Sequence, residues 1–405
     1  MRMLAHLAAV FGVLILDWIT GASRHEPVRY GPLVRVVTKH PWLTASVVAG
    51  TLAIGAAVVV VSGVISVRAS SGHWPVTAWL LDFAKLQSVR TYSLGVTTPA
   101  LNDQALVVRG AAHYAIGCES CHGSPDVRVP SVMNAMTPPP PELEGERLTR
   151  WTPAQLFSIV KHGIKFTGMP AWPAQQRDDE VWQVVAFLAR LPEMSRTEYR
   201  QLAGREPGGD SPGVPVGTGG QAEAPATVTM MCTRCHGSDG TGRNGTFPSI
   251  AGQRGPYLYA SLRAFADRSR FSATMSEVAG RLTETDMRAV ASYYERLPGR
   301  VVFTLADAPV RSRGYRLATS GDPERNLPAC VECHGPSDVP KNPAYPRLAG
   351  QHEGYLTRQL ELLKARDRGG TPRVNLMHAV VDRLEPQDMQ DVARYYASLL
   401  PAGPR

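Results

Sequence analysis

The feature that most restricts this chain is the placement of its cysteines. All six fall into three copies of one pentapeptide: Cys118-Glu-Ser-Cys121-His122, Cys232-Thr-Arg-Cys235-His236 and Cys330-Val-Glu-Cys333-His334. On a helical turn, residues i and i+3 share a face and i+4 lies beside them. Two thiols and one imidazole can therefore address a single group. An even cysteine count permits disulfides, but each pair is three positions apart and His follows at once. Zinc would need a second ligand pair at finger spacing, and no further cysteine exists to supply it. A redox-active dithiol gives no reason for the motif to recur three times, each time with His next. The spacing instead matches covalent haem c attachment, with two thioethers to the porphyrin and His on the iron. Three motifs imply three haems.

The remaining sequence is organised around these motifs. Residues 204–226 (GREPGGDSPGVPVGTGGQAEAPA) lack a hydrophobic period and read as a linker. Beyond it lies an internal repeat. FPSIAGQ (247–253) matches YPRLAGQ (345–351), and RLTETDMRAVASYYERLP (281–298) matches RLEPQDMQDVARYYASLLP (383–401). Pro248 and Pro346 each follow their motif His by 12 positions, and Met275 and Met377 each precede a Tyr by 18. The first unit is a more distant relative, with GMPAW (168–172) followed by DDEVWQVVAFLARLP (178–192). Apolar residues recur there at helical spacing, acids open the closing segments and Pro follows them. Strand signals are weak throughout. The expected architecture is all-α: tether 70–100, unit 101–203, linker 204–226, unit 227–300 and unit 301–405.

With its Met-bearing loop before a closing helix, each unit resembles a class I cytochrome c. The last two together resemble the two-haem c4 type. The first is similar to single class I domains of membrane-bound multihaem cytochromes. The resemblance implies His–Met iron ligation, with His122 and Met169, His236 and Met275, and His334 and Met377 as the three pairs. It also implies that the Pro248 and Pro346 carbonyls accept the proximal His Nδ1–H. The first unit departs here, because the twelfth residue after His122 is Asn134; the proline run 138–141 is an alternative on a longer loop. Met287 and Met389 fall inside the closing helices and read as core, and Met230 and Met231 stand too close to Cys232 to reach the distal side. Met133 and Met136 compete with Met169. His162 and His378 are ordinary loop histidines by default.

The first 69 residues are expected to be a membrane anchor. Residues 43–67 (LTASVVAGTLAIGAAVVVVSGVISV) hold no charge, and about 20 apolar residues cross a hydrocarbon core. Four Lys/Arg lie in 24–42, against only Arg68 just after the span, which places the haem units outside the cytoplasm. Residues 4–22 are a second hydrophobic segment, a short span or an interfacial helix rather than a signal-peptide core, since the following span already supplies an export signal. The tether sequence HWPVTAWLLDFAK fits a membrane surface or a helix packed on the first domain. Residues 1–69 also carry half of the net charge of +8, with six basic residues against Asp17 and Glu26. No basic stripe with interleaved aromatics remains to suggest nucleic acid.

No nucleophile–base pair, phosphate loop or dinucleotide fingerprint is present. Filled axial positions leave no place for a small-molecule substrate. The expectation is an electron-transfer protein of a bacterial inner membrane with its haem domains in the periplasm, a carrier held in inner-membrane lipid by its N-terminal span and working between redox proteins such as a quinol-oxidising complex and a terminal oxidase. The alternative is the cytochrome subunit of a membrane-bound dehydrogenase for an alcohol, aldehyde or sugar acid. The subunits of periplasmic alcohol and gluconate dehydrogenases are similar in haem number, although their membrane segment usually comes last.

Overall fold

A computed structural model describes residues 41–143, 145–205, 224–299, 312–336 and 339–399. The hydrophobic segment 4–22, the basic loop before the span and most of the 204–226 linker lie outside these residues. The chain divides after Ser71 into two compact units.

In the first unit, helix α1 (Pro41–Val61) is apolar on all sides, and every one of its described side chains is exposed. Its side chains are described continuously only over 45–61. Among the described residues, no helix is long and apolar enough to cross a membrane. The helix also stops short of the uncharged stretch it was expected to fill. Ser62 N–H closes the last turn on Val58 O at 2.9 Å, and Gly63 takes φ +66°, which ends a helix readily.

The second unit is built from helices, and no β-strand occurs among the described residues; one isolated bridge pairs Asp322 with Leu327. The helices used below are α2 (Pro75–Tyr92), α3 (Gln104–Gly117), α4 (Glu119–His122), α5 (Pro153–His162), α6 (Asp178–Arg190), α7 (Arg196–Leu202), α8 (Thr233–His236), α9 (Gly255–Ala266), α10 (Ala273–Gly280) and α11 (Glu284–Arg296). They continue with α12 (Arg313–Ser320), α13 (Val331–His334), α14 (Glu353–Lys364), α15 (Val374–Val381) and α16 (Pro386–Ser398). Local sequence fixes many of the starts. Thr152 and Gln155 form a capping box at α5, Thr283 and Asp286 at α11, and Glu385 and Asp388 at α16, each satisfying N–H groups that have no partner inside the helix.

Three apolar clusters follow the three motifs. The first collects α3, α5, α6 and α7, the second α9 and α11, the third α12, α14, α15 and α16. In the first, α6 buries Val181, Val184, Val185, Phe187 and Leu188, each contributing roughly 1.5–3 kcal/mol relative to exposure. The closing helix crosses the opening one at a glycine. A Cβ on Gly110 of α3 would lie 2.0 Å from the Gln183 carbonyl oxygen on α6, and one on Gly314 of α12 would lie 2.1 Å from that of Asp391 on α16. Helix α2 reaches α5 and buries Val89, whereas Trp74, Trp79, Leu80 and Phe83 near its start are exposed.

Both ends of the presumed linker are tied into domains. Arg205 pairs with Glu119 inside the first motif, and Ala224 packs on the second cluster. The second and third domains face each other through a reciprocal clasp that explains the repeated AGQ. Gln351 Oε1 accepts the Ser249 N–H at 2.9 Å and its Nε2 donates to the Ser249 carbonyl at 2.7 Å. Gln253 does the same to Arg347, at 2.8 and 2.9 Å. Arg270 donates to Tyr355 at 3.3 Å, and Arg368 to Tyr257 at 3.0 Å. The first domain packs on the second in turn: Arg109 Nε donates to the Thr246 carbonyl at 3.1 Å, and Arg243 Nη1 to that of Gln201 at 2.7 Å.

Candidate haem sites

Each motif occupies one helical turn, α4, α8 or α13, and stops at once. The residue after His is Gly123, Gly237 or Gly335, with φ between +69° and +79°, where a Cβ is disfavoured. The abrupt stop leaves the two cysteines and the histidine together on a single turn.

The three histidines share one contact. His236 Nδ1 donates to the Pro248 carbonyl at 2.9 Å and His334 Nδ1 to that of Pro346 at 2.8 Å. His122 Nδ1 donates to the Pro141 carbonyl at 2.8 Å, 19 residues along the chain. The proline run thus plays the part that Asn134 does not. A carbonyl only accepts, so the proton sits on Nδ1 and Nε2 keeps a free lone pair. Burial lowers the pKa of His236, and takes that of His334 down to about 4, against the pull of the proline carbonyl. Neutral imidazole with Nε2 unprotonated is the state a metal requires.

The thiols do not behave as a redox dithiol. Burial pushes Cys118 up to about 12 and Cys232 and Cys330 up to about 11. Reactive Cys-x-x-Cys pairs depress a thiol pKa, whereas burial holds the first cysteine of each motif in its protonated form.

A cleft of about 1490 Å³, counting the solvent space at its mouth, opens at the third motif. Cys330, Cys333, His334, Pro346 and Met377 all line it, so the proposed third ligand pair shares one cavity. Its wall includes Tyr257 of the second domain and Arg368. Behind this wall Arg270 is buried and donates to Ser261 and to the lining residues Tyr355 and Gln359. Burial alone would raise the Tyr257 phenol, yet Arg368 and Arg270 bring it down to about 8. Positive charge held in an apolar cleft without a carboxylate calls for an anion. Haem, with an apolar ring and two propionates, fits this cleft and this donor set.

The other candidates fall as follows. Met275 stands in the first turn of α10, its N–H capped by Ser272 Oγ at 3.3 Å, and Met169 is half-buried on the loop between α5 and α6. Met133 Sδ is 3.9 Å from Cys121 Sγ, and the Met136 methyl lies against Gly168, beside Met169. Met287 and Met389 are core residues and Met230 is exposed. His378 Nε2 donates to the Arg368 carbonyl at 3.0 Å. Sequence reasoning missed Glu119, a buried acid inside the first motif. It accepts from Tyr199 at 2.8 Å and from Arg205 at 2.9 Å, tying α7 to the motif turn.

Comparison with known proteins agrees with this geometry. Residues 105–188 match the family "Cytochrome C oxidase, cbb3-type, subunit III", and residues 222–297 and 313–399 match "Cytochrome c". A protein of Thiomonas intermedia described as "Thiosulfate dehydrogenase electron acceptor" is 37% identical over 169 residues, 41% of this chain and 77% of that protein. Cytochrome c4 of Stutzerimonas stutzeri is 29% identical over 190 residues, 44% of this chain and 90% of that protein. The crystal structure of reduced recombinant cytochrome c4 from Pseudomonas stutzeri aligns at 27% identity and a TM-score of 0.40, covering 44% of this chain and 98% of that one. The 37% identity over 77% of the Thiomonas protein, with the family matches on all three units, makes the chain a multihaem member of the class I cytochromes c, with haem c bound covalently.

Proposed function

We propose that the chain carries three haems, one per motif, and relays single electrons between redox proteins at a bacterial inner membrane. The observation that carries this reading is the threefold recurrence of one arrangement: a Cys-x-x-Cys-His turn whose His Nδ1 donates to a proline carbonyl at 2.8, 2.9 and 2.8 Å. Bound haem supplies a one-electron ferrous–ferric couple. Everything else falls to the polypeptide. Cys118, Cys121, Cys232, Cys235, Cys330 and Cys333 fix the rings, and His122, His236 and His334 present Nε2. Met169, Met275 and Met377 supply soft sulfur, which favours the reduced state. Pro141, Pro248 and Pro346 orient the imidazoles. With His and Met of the protein both holding the iron, no position would be left for a substrate, and the chain would pass electrons rather than transform one.

The anchor belongs to the same proposal. Residues 43–67 would hold the chain in the membrane with the haem domains in the periplasm. The uncharged sequence of α1 and the exposure of its described side chains support this, since an all-apolar helix left in water has no compensating partner. Donor and acceptor are proposed by class: a quinol-oxidising complex or a dehydrogenase on one side, a terminal oxidase or other acceptor on the other. Likeness to two proteins described as thiosulfate dehydrogenase electron acceptors, one of them in Stutzerimonas stutzeri, favours a periplasmic oxidoreductase delivering electrons to the paired C-terminal domains.

A pyridine haemochrome assay on the purified full-length protein tests the haem count. Three haems per chain are expected; two or fewer would reject one motif. Co-purification of a stoichiometric catalytic subunit would replace the free carrier by an enzyme subunit.

A further inference from the structure

The segment leading into Met275 is held by the first domain as well as by its own. Arg177 Nη1 donates to the Phe271 carbonyl at 2.7 Å. Glu180 Oε2 accepts the Ala273 N–H at 2.8 Å. The Thr274 hydroxyl donates to His113 Nδ1 at 2.5 Å, and His113 Nε2 in turn donates to Gln183 at 3.2 Å. Glu180 is only 3% exposed and Ala273 only 9%, and both Ala273 and Phe271 pack into the first domain's apolar cluster. Arg177 holds Glu180 from the other side, Nη1 to Oε1 at 3.0 Å.

Helix α10 starts with N–H groups that have no intrahelical partner. Ser272 caps the Met275 N–H, and a carboxylate from another domain takes that of Ala273. The corresponding helix of the third domain starts differently: the residue ahead of α15 is Arg373, at φ +63°, and it makes no side-chain cap. The two sulfur loops of an otherwise matched repeat are therefore held in different ways.

We propose that Glu180 is a positioning residue for Met275, so that sulfur ligation at the second haem depends on the docked first domain. The inference rests on the reading of Met275 as an iron ligand. Docking then makes the first and second haem sites one rigid block, and the second haem acquires properties its repeat partner lacks.

The test uses the full-length holoprotein and two readouts, the weak near-infrared band of Met–Fe(III) ligation and a redox titration. Met275→Leu should remove about one third of the band. Glu180→Ala should remove at least half of that Met275 share and shift the second haem's midpoint, leaving the third unchanged. Glu180→Gln keeps an acceptor oxygen and should restore both. A merely structural role for Glu180 in its own domain predicts instead a change confined to the first haem and the Met169 share; that result would overturn the proposal. So would an intact band and unchanged midpoint in Glu180→Ala. Should that variant fail to fold, Thr274→Val, which removes the hydroxyl on His113, decides: a shift of the second haem supports the proposal and none overturns it. An unaltered band in Met275→Leu would reject the ligand reading itself, and the proposal with it.

Discussion

Replacing Gln351 by Leu isolates the contact between the paired domains. The side chain is buried, and its amide engages both halves of one residue's backbone, Ser249 N–H at 2.9 Å and Ser249 C=O at 2.7 Å. It also accepts its neighbour's His352 N–H at 3.0 Å. Leucine preserves volume but leaves the Ser249 pair without a partner. Two interdomain hydrogen bonds at about 1 kcal/mol net each, plus part of the penalty for polar groups left unsatisfied, give a loss of about 2–4 kcal/mol. Gln253→Leu should cost the same, because its bonds to Arg347 are the mirror image at 2.8 and 2.9 Å. The double variant should fall short of the sum, since a loosened interface has less to lose. Guanidinium unfolding of the holoprotein, followed by circular dichroism and by haem absorbance, measures all three. A single-variant loss below about 0.5 kcal/mol, or strongly unequal losses, would refute the clasp. A redox readout accompanies it. Ser249 follows Pro248, whose carbonyl accepts the His236 Nδ1–H hydrogen bond, so Gln351→Leu should disturb the second haem rather than the third.

Gly110→Ala puts a methyl 2.0 Å from the Gln183 carbonyl oxygen; overpacking there should cost about 1–3 kcal/mol, read as a lowered thermal midpoint with the haem content intact. Asp179 lies between Arg177 and Arg358, and although burial opposes it, those two guanidiniums hold the carboxyl well below its ordinary value of 3.8. A depressed carboxyl contributes stability that is complete above 3.8 and is lost as pH falls through the folded-state value. Asp179→Asn should therefore cost about 1.5–3 kcal/mol near neutrality and flatten the loss of thermal stability below about pH 4; an unchanged acid profile would reject the pairing. Arg368→Leu removes a cation from the cleft and should lower the midpoint potential of the adjacent haem by some tens of millivolts, about 40 mV for each kcal/mol of lost charge stabilisation, as a redox titration would report.

The sequence revealed what is built locally. A motif that must close within one helical turn leaves its spacing in the chain, and the prolines 12 residues on are visible because two copies repeat the offset. Pro141 was harder to see: the loop is longer, and four successive prolines do not say which carbonyl faces His122. Gly110 and Gly314 look like ordinary helix glycines until the crossing helix is in place, although the shared Arg-Gly pair in the two opening helices was a signal. Gln253 and Gln351 were legible as a repeat but not as a contact, because reciprocity requires the two copies to face each other. The contact made by Arg205 was hidden for a related reason. Composition identifies Arg205 as part of a glycine-rich stretch, whereas its guanidinium belongs with the carboxylate of Glu119.

The acid at the third position of each closing helix shows how equivalent positions lead to different tertiary outcomes. Those acids are Glu180, Asp286 and Asp388. In the second domain Asp286 folds back on Thr283 in a capping box, and in the third Asp388 does so with Glu385 while also pairing with Arg325 at 2.7 Å. Both carboxylates are used within their own domains. In the first domain the residue ahead of the helix is Arg177, which makes no side-chain cap. An arginine has no acceptor to close a box, so it pairs with the acid instead and leaves one carboxylate oxygen unused by the helix. That oxygen meets the Ala273 N–H across the boundary. A cationic residue at a capping position would ordinarily read as a poor helix start. Here it frees a carboxylate for the neighbouring domain, and the stretch it reaches, 271–274, leads directly into Met275. Three units from one fold thus differ where a single N-terminal residue decides whether an acid serves its own helix or the next domain's ligand loop.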